Sequence, residues 1–313
     1  MISVIILTYN EERHLARALK SVAAIAREVF VVDSFSSDRT VEIARAHGAQ
    51  VYQHKFVNQA KQFQWALENL PIAGNWVMRL DADEVIETDL AHGISTRLPS
   101  LSSDITGITL KRKHIFLGRW IRHGGRYPLI LLRIWRSGCA RVEDRWMDEH
   151  IVLTRGRSLT LNGGFADHNL LSITEFIGKH NTYATREAVD ILNERYALFG
   201  GDSALISPNV SLQIASKRFL KIYVYNKLPF WLSATLYFLY RYIVRLGFLD
   251  GTEGLIYHFT QGYWYRMLVG AKVFELERSL RGLSGRDEII SALEALTGLD
   301  LQERKQAPKG RVA

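Results

Sequence analysis

The sequence predicts a doubly wound α/β fold, a mostly parallel sheet flanked by helices. Over the first eighty or so residues, short β-branched runs alternate with amphipathic helical patterns. The clearest of these β-branched runs end at polar or acidic residues. The sequence shows no internal repeat of the length found in solenoid proteins. Strands that alternate with helices form parallel sheets, and such sheets bind ligands at the carboxyl ends of their strands.

The first element is a β-branched run at residues 2–8, which predicts a strand buried on both faces. A helical pattern follows at 12–26 with its apolar residues on one face. The alternation continues with strands at 28–33, 49–54 and 76–80, and helices at 39–47 and 58–69. Asp38 can cap the second helix, which Gly48 ends. Residues 105–165 suggest mixed β-structure, and 172–198 return to helical periodicity.

Polar groups follow three of these strands, at Thr8–Glu11, Asp33–Ser36 and Asp81–Glu84. Because the carboxyl ends of parallel strands share one edge, we expect all three groups to meet there.

Composition excludes some kinds of site but does not identify the binding partner. The 313 residues carry a net charge of +8 with a pI of about 9.5, which suits nucleic acid, anionic lipid or phosphorylated substrates. The single cysteine, Cys139, excludes an internal disulfide and a cysteine metal site, and so favours a reducing compartment. The first residues lack the basic and apolar regions of a signal peptide.

The C-terminal third has two apolar stretches, 228–249 and 254–274. The first approaches the roughly 20 apolar residues of a spanning helix, but it contains Arg241 and Arg245, which cost several kcal/mol at mid-bilayer. Its aromatic residues and the nearby lysines favour a monotopic anchor at the membrane interface. The alternative is ordinary core or an oligomer interface. We predict a catalytic domain at 1–215, an amphipathic helical membrane-associating region at 216–280, and a short helix with a flexible tail at 281–313.

Asp81-Ala82-Asp83 places two carboxylates just beyond a buried strand. Such a pair can share Mg²⁺ or Mn²⁺ with the oxygens of a diphosphate, and the metal would neutralise charge on the leaving group. An isolated D-x-D is more often a solvated acidic turn, but its position at the expected sheet edge reverses that preference. Asp33 could accept a hydrogen bond from a nucleobase N–H, or it could cap the turn at 34–38.

Three segments together resemble the family 2 inverting glycosyltransferases of GT-A fold, a Rossmann-like architecture. They are residues 4–12 (VIILTYNEE), 31–40 (VVDSFSSDRT) and 79–84 (RLDADE). Their order and spacing match over roughly residues 1–200. The likeness is strongest to the bacterial lipopolysaccharide-core and exopolysaccharide branch, which also resembles this chain at 247–251. Members of that branch associate with the cytoplasmic face of the inner membrane.

This resemblance implies a role for individual residues. Thr8, Asn10 and Glu11 would line the nucleoside pocket, and Asp33 would hold the base. Lys61, with Gln62 beside it, would approach the nucleotide. Asp81 would lie near the ribose and the metal, and Asp83 would bind the metal. His168 resembles a histidine of related sequences and is a candidate third metal ligand, as is His150; a structural role is the alternative.

An inverting transfer also needs a general base on the acceptor side. The candidates are Asp148 and Glu149, where the family usually has an acidic pair in the order Glu-Asp. We favour Glu149; Glu143 and Asp144 form a competing pair. The processive signature Gln-x-x-Arg-Trp is absent, which indicates addition of a single sugar.

Residues 111–145 contain ten lysines or arginines against two acids. They could form a solvated face, or they could bind an acceptor phosphate or anionic lipid head groups. Arg126, beside Gly124 and Gly125, is the first residue to test.

The sequence therefore predicts metal-dependent transfer of a sugar, with UDP the expected nucleotide, to a lipid-linked or saccharide acceptor at a membrane surface. A sugar nucleotidyltransferase is an alternative, but its Gly-rich loop after the first strand is missing. A non-enzymatic protein that binds nucleic acid or an anionic surface is supported only by charge and aromatic content. We expect no nucleic-acid partner.

Overall fold

The computed structural model describes residues 1–143, 150–199 and 228–301. The strands are β1 (Ile2–Thr8), β2 (Ala26–Asp33), β3 (Gln50–Gln53), β4 (Trp76–Asp81), β5 (Glu84–Ile86), β6 (Ile105–Phe116), β7 (Arg119–Trp120), β8 (Leu129–Arg136), β9 (Ala140–Val142), β10 (Ile151–Leu153) and β11 (Arg157–His168). The α-helices are α1 (Leu15–Val22), α2 (Thr40–Ala46), α3 (Gln59–Asn69), α4 (Thr88–Arg97), α5 (Ile173–Tyr196), α6 (Phe230–Leu239), α7 (Gly251–Tyr257), α8 (Tyr265–Ser279) and α9 (Arg286–Thr297).

The main sheet has the strand order β3-β2-β1-β4-β8-β6-β11-β5, with β7 paired to β6. The first four strands are mutually parallel, as is the β6–β11 pair. The β4–β8, β6–β8, β6–β7 and β5–β11 pairs are antiparallel. The predicted α/β fold is confirmed. Its parallel part matches the alternation of strands and helices in the sequence: α1 joins β1 to β2, α2 joins β2 to β3, and α3 leads from β3 to β4, which pairs with β1.

β1 is the centre of the parallel part, and both of its faces are buried. Val4 and Ile6 pack with the apolar face of α1 in one core, while Ile5 packs with Phe30 and Phe63 in another. Successive side chains of a strand point to opposite faces. A strand covered on both sides therefore reads as an unbroken apolar run, which is the pattern that residues 2–8 show.

The chain divides into two compact units. The first comprises Met1–Leu170 with Gly247–Gly254, and the second comprises Leu171–Leu246 with Leu255–Ala313. The sheet and both cores around β1 belong to the first unit, and the second has its own helical core. The predicted boundary at residue 215 lies outside the described residues. The division into 1–215, 216–280 and 281–313 therefore stays a prediction.

The second unit is helical and exposes many apolar side chains. α6 continues into a π-helical turn at Tyr240–Val244, and a second π-helical stretch, His258–Trp264, leads into α8. Trp231, Ile243 and Val244 are all more than half exposed. Arg241 is buried, with its guanidinium over the ring of Tyr237. Within the described residues, no helix combines the length and apolarity needed to span a bilayer.

Candidate active site

The carboxyl ends of β1, β2 and β4 lie side by side, as the sequence predicts. Thr8 is paired with Asp33, and Leu7 with Asp81. The Thr8 hydroxyl donates a hydrogen bond to Asp33 Oδ1 at 3.1 Å. Asp83 follows two residues after the end of β4. The acidic groups of three separate segments therefore share one edge of the sheet.

Asp33 is fully buried, and its carboxylate organises the turn that follows β2. It accepts hydrogen bonds from the Ser36 backbone N–H at 2.9 Å, from the Ser36 hydroxyl and from Gln53 Nε2 at 3.5 Å. The capping alternative is thus visible in the structure. A nucleobase N–H that reached Asp33 would have to replace one of these donors.

Asn10 and Glu11 connect the turn after β1 to neighbouring segments. Asn10 has a φ of 54°, donates its N–H to Ser36 Oγ at 2.9 Å and accepts the Ser37 N–H at 2.8 Å. Glu11 Oε2 lies 2.6 Å from His14 Nδ1. Both residues lie at the edge where the resemblance locates the nucleoside pocket.

Lys61 and Gln62 lie in the first turn of α3. Asn58 Oδ1 caps the helix by accepting the Lys61 N–H at 2.8 Å. Gln62 is buried and donates to Ser34 Oγ at 3.2 Å, while its Oε1 lies 2.7 Å from His54 Nδ1. His54 stacks on Trp65 with ring centroids 4.3 Å apart. Sequence reasoning missed His54, although it directly follows β3 and so obeys the rule that identified the other strand ends.

Asp81 belongs to a buried ion network that sequence reasoning also missed. Its carboxylate accepts from Arg79 Nε at 3.2 Å and from Arg133 Nη2 at 2.9 Å. Arg133 also bonds to Glu84, which is fully buried and lies 3.2 Å from Arg112 Nη1. Because arginine presents five donors in a planar fork, one guanidinium can serve two carboxylates.

The pKa values of the two carboxylates in this network, Asp81 and Glu84, are shifted in opposite directions. Burial would raise the pKa of Asp81, but the charges of Arg79, Arg133 and Arg112 outweigh it and hold that pKa well below its ordinary value. For Glu84, burial and the neighbouring Asp81 charge raise the pKa to about 7 against the opposing effect of Arg133 and Arg112. Asp81 is therefore the group kept ionised at the sheet edge.

A second charged cluster surrounds Asp167 near the end of β11. Its Oδ2 lies 3.1 Å from His114 Nδ1 and 3.6 Å from Arg112 Nη1. Burial would raise the pKa of Asp167, but His114, Arg112 and Arg126 keep it well below the ordinary value. Burial lowers the pKa of His114, and Arg126 and Arg112 lower it further, against the effect of Asp167. Arg126 therefore lies close enough to act electrostatically on both groups.

Much of the basic stretch 111–145 is paired within the fold. Lys113 Nζ lies 2.8 Å from both carboxylate oxygens of Glu87, and Arg119 Nη1 lies 3.8 Å from Glu253. Arg112 and Arg133 belong to the networks above. These residues form ion pairs within the protein, so only part of the basic stretch is left as a surface that could bind an acceptor.

Asp83 lies beside His168 at the end of β11. Asn169 Nδ2 donates to Asp83 Oδ2 at 3.1 Å, and the His168 N–H donates to the Asp83 carbonyl at 2.9 Å. Arg17 Nη1 lies 3.2 Å from His168 Nδ1, and Nη2 donates to the His168 carbonyl at 2.8 Å. Burial and the Arg17 charge lower the pKa of His168. A lowered pKa favours the neutral imidazole, which is the form in which histidine binds metals.

Comparison with known proteins agrees with this geometry. Residues 3–145 match the model of Glycosyl transferase family 2. The match covers a little under half of the 313 residues. It is 25% identical to an uncharacterized glycosyltransferase of Rickettsia typhi over 98% of this chain and 99% of the relative. A Rickettsia conorii glycosyltransferase is 40% identical over 33% of this chain and 36% of its own. The protein is a glycosyltransferase with an α/β fold.

A similar solved structure is glucosyl-3-phosphoglycerate synthase from Mycobacterium tuberculosis in complex with Mn²⁺, UDP and glucosyl-3-phosphoglycerate. The synthase is 21% identical to this chain, with a TM-score of 0.31, and the match covers 36% of this chain and 44% of the synthase. The chain thus spans less than half of that structure.

The donor set of the glycosyltransferase fits a cation that shares its shell with a substrate. Among residues 1–143, 150–199 and 228–301, no three His, Cys, Asp or Glu side chains form a ready metal cluster. Asp83 and His168 supply an oxygen and a neutral nitrogen on adjacent segments. Mg²⁺ commonly takes one or two carboxylates and completes its shell with phosphate oxygens and water. Because Arg17 only donates, His168 Nδ1 accepts from it, and a cation at this ring would have to compete with Arg17 or displace the Nε2 hydrogen.

Of the candidate bases, Asp148 and Glu149 lie outside the described residues, as does Asp144. The described Glu143 accepts a contact from His150, whose Nδ1 lies 3.4 Å from Glu143 Oε2, and its N–H donates to the His150 carbonyl at 2.9 Å. Glu143 and His150 are therefore occupied with each other across the ends of β9 and β10.

The Asp167 cluster predicts a specific dependence of stability on pH. The pKa of Asp167 in the folded chain lies below its ordinary value of 3.8, so the carboxylate stabilises the fold above about pH 4, and this contribution is lost as the pH falls through the lower, folded value. Asp167→Asn should lower the free energy of unfolding by about 2 kcal/mol near neutral pH. The difference from wild type should shrink steadily below about pH 4.

Urea unfolding of both proteins at several pH values measures this difference. Glu42→Gln, which changes an exposed carboxylate on α2, is the control and should alter the unfolding free energy little at any pH. A difference between Asp167→Asn and wild type that is constant with pH would contradict the assignment.

Proposed function

We propose that this glycosyltransferase moves one sugar, with inversion, from a nucleotide-sugar to a lipid-linked or saccharide acceptor, and that UDP is the nucleotide. The observation that carries the proposal is the shared edge of β1, β2 and β4, where Thr8, Asp33 and Asp81 meet. Asp83 lies immediately beyond. An edge of this kind in an open α/β sheet is where nucleotides bind.

On the donor side, the proposal assigns each group a task that suits its surroundings. Asp33, with Thr8 beside it, receives the base, and Asn10 and Glu11 shape the nucleoside pocket. Arg79 and Arg133 keep Asp81 ionised, so it can accept hydrogen bonds from the ribose hydroxyls. Lys61, at the partly exposed start of α3, approaches the phosphates.

Asp83, with Asp81 and His168 as further candidates, would hold Mg²⁺ or Mn²⁺. When bound, such a cation stabilises the negative charge that develops on the leaving diphosphate. The matching tasks of this chain's own residues are to orient the donor and to keep the anomeric carbon open to attack from one face.

Transfer itself exchanges one bond for another. The acceptor hydroxyl oxygen forms a bond to the anomeric carbon, and the bond from that carbon to the diphosphate oxygen breaks, with its electron pair leaving on the nucleoside diphosphate. The hydroxyl proton passes to a carboxylate, Glu149 or Asp148. A single displacement of this kind inverts the anomeric configuration.

On the acceptor side, the proposal extends to a membrane surface. Side chains between residues 230 and 246 that are more than a third exposed and apolar are Phe230, Trp231, Leu236, Leu239, Tyr240, Ile243, Val244 and Leu246. With the net charge of +8, they suit a peripheral or monotopic position on the anionic cytoplasmic face of the inner membrane. The resemblance to the lipopolysaccharide and exopolysaccharide branch favours an acceptor of that kind, with Arg126 close to its phosphate.

The donor assignment predicts the effect of removing one charge. Asp83→Asn should reduce nucleotide release from a panel of UDP-, dTDP- and GDP-sugars with Mn²⁺ by at least about a hundredfold, because the carboxylate is proposed to hold the cation. Circular dichroism and the melting temperature should stay close to those of wild type. Asp104→Asn, at an exposed carboxylate paired with Arg157, is the matched control and should keep full activity. Full metal-dependent activity in Asp83→Asn would remove the metal role.

The general base can be found by neutralising the two candidates separately. Glu149→Gln and Asp148→Asn should differ greatly, and the variant that lacks the base should lose about a hundredfold or more in kcat. Glu143→Gln tests the competing candidate, and Glu42→Gln, at an exposed carboxylate on α2, is the control that should keep full activity. If neither candidate loses activity on this scale, the base lies elsewhere in the chain.

The membrane assignment predicts weaker binding to vesicles after loss of exposed apolar area. Each large side chain contributes about 1.5–3 kcal/mol when it is fully buried. Trp231→Ser combined with Ile243→Ser should therefore reduce binding to vesicles with one-third anionic phosphatidylglycerol by at least tenfold in a flotation assay. Leu296→Ser removes a similarly exposed side chain outside residues 216–280 and should have no effect. Equal binding by the double variant would argue against this surface.

A further inference from the structure

The segment Gly247–Gly254 lies far along the sequence from the sheet, yet it belongs to the same compact unit as residues 1–170. Its central residue, Asp250, is almost fully buried. Asp250 Oδ2 accepts the backbone N–H of His123 at 2.8 Å, and Oδ1 lies 2.7 Å from His123 Nδ1. The Asp250 carboxylate thus contacts both the backbone N–H and the side chain of His123 in the first compact unit.

The backbone around Asp250 is shaped for this contact. Gly251 has a φ of 71°, which favours glycine, and a Cβ there would lie 3.2 Å from Arg119 Nη1. A Cβ on Gly254 would lie 2.6 Å from the Cβ of Asp250 and 2.9 Å from the Gly247 carbonyl. A side chain at Gly254 would disturb the backbone that presents Asp250, and a side chain at Gly251 would strain the left-handed conformation of that residue.

The loop that receives Asp250 leads directly to Arg126. Gly124 and Gly125 have φ values of 66° and 71°, so the residues between His123 and Arg126 have little intrinsic preference for one conformation. The Arg126 N–H donates to the His123 carbonyl at 3.3 Å. His123 therefore anchors the backbone that carries Arg126, whose charge lowers the pKa of both Asp167 and His114.

We propose that Asp250 is a positioning residue for the acceptor. By holding His123, it fixes the backbone that carries Arg126, and the Arg126 guanidinium binds the phosphate group of an acceptor. The proposal rests on the acceptor assignment made above. Asp250 itself touches no substrate, and its contribution passes through the loop 121–128.

The first experiment measures the loop in the full-length protein by hydrogen exchange. Asp250→Asn keeps the size of the side chain but removes its charge and leaves only one oxygen that can accept from His123, so the two present bonds, both accepted by Asp250, cannot both be kept. Exchange of residues 119–127 should be at least about tenfold faster, and exchange of β1 and β4 should be unchanged. Glu253→Gln, a charge change in the same segment at an exposed partner of Arg119, is the matched control and should leave the loop as in wild type. Wild-type exchange in Asp250→Asn would overturn the proposal.

The second experiment measures phosphate binding with UDP and Mn²⁺ saturating, so that added phosphate cannot occupy the donor site. Inorganic phosphate and geranyl phosphate are the probes, and tighter binding of geranyl phosphate would indicate a lipid-linked source. Asp250→Asn and Arg126→Gln should each weaken binding about tenfold, the scale of one charge-assisted hydrogen bond. Because Asp250 acts through Arg126, the double variant should bind no more weakly than Arg126→Gln.

Three results would overturn the proposal: no phosphate binding by wild type, wild-type affinity in Asp250→Asn despite a loosened loop, or fully additive losses in the double variant. Failure of the function proposed above has a different signature, since it appears as absence of sugar transfer in the donor screen. Neither loop exchange nor phosphate binding depends on turnover.

Discussion

The guanidinium of Arg133 is the constraint on which the arrangement of the site depends. It lies on β8 and bonds to Asp81 at the end of β4 and to the fully buried Glu84. Two carboxylates so close together repel one another, and burial makes each charge more costly. Arg133, with Arg79 and Arg112, offsets that cost for Asp81, whose pKa is lowered, while the pKa of Glu84 stays raised. The antiparallel β4–β8 pair delivers this cation to an edge otherwise built from parallel strands.

From this network, alternating charges continue along the sheet. Glu84 contacts Arg112, Arg112 contacts Asp167, and Asp167 contacts His114. Hydrogen bonds to ionised groups are about twice as strong as neutral ones, and inside a protein they reinforce each other. Direct contacts therefore connect the sheet edge at β4 with Asp167 and His114, and the charge of Arg126 acts on both of these groups. A rigid framework of this kind suits a transferase, which must align two substrates before one bond can replace another.

The sequence predicted the catalytic fold well because local patterns determine it. The run at 2–8 forms β1 because both of its faces are covered, and the acidic ends of β1, β2 and β4 meet because parallel strands end together. The predicted strands and helices up to β4 agree with the structure within a few residues at each end. The basic stretch 111–145 was harder to interpret, because the pairing of Lys113 with Glu87 or Arg112 with Asp167 joins residues far apart in the chain.

The sequence by itself determined the class of fold and predicted that the acidic residues Asp33, Asp81 and Asp83 lie at one edge of the sheet, where the candidate site is. These follow from periodicity and from the position of polar residues after strands, which are local properties. Only the tertiary structure decided how those acids are held: that Arg133 bridges Asp81 and Glu84, that Arg17 lies against His168, and that Asp250 grips His123. Such contacts depend on distances between side chains brought together by folding, and no spacing along the chain encodes them.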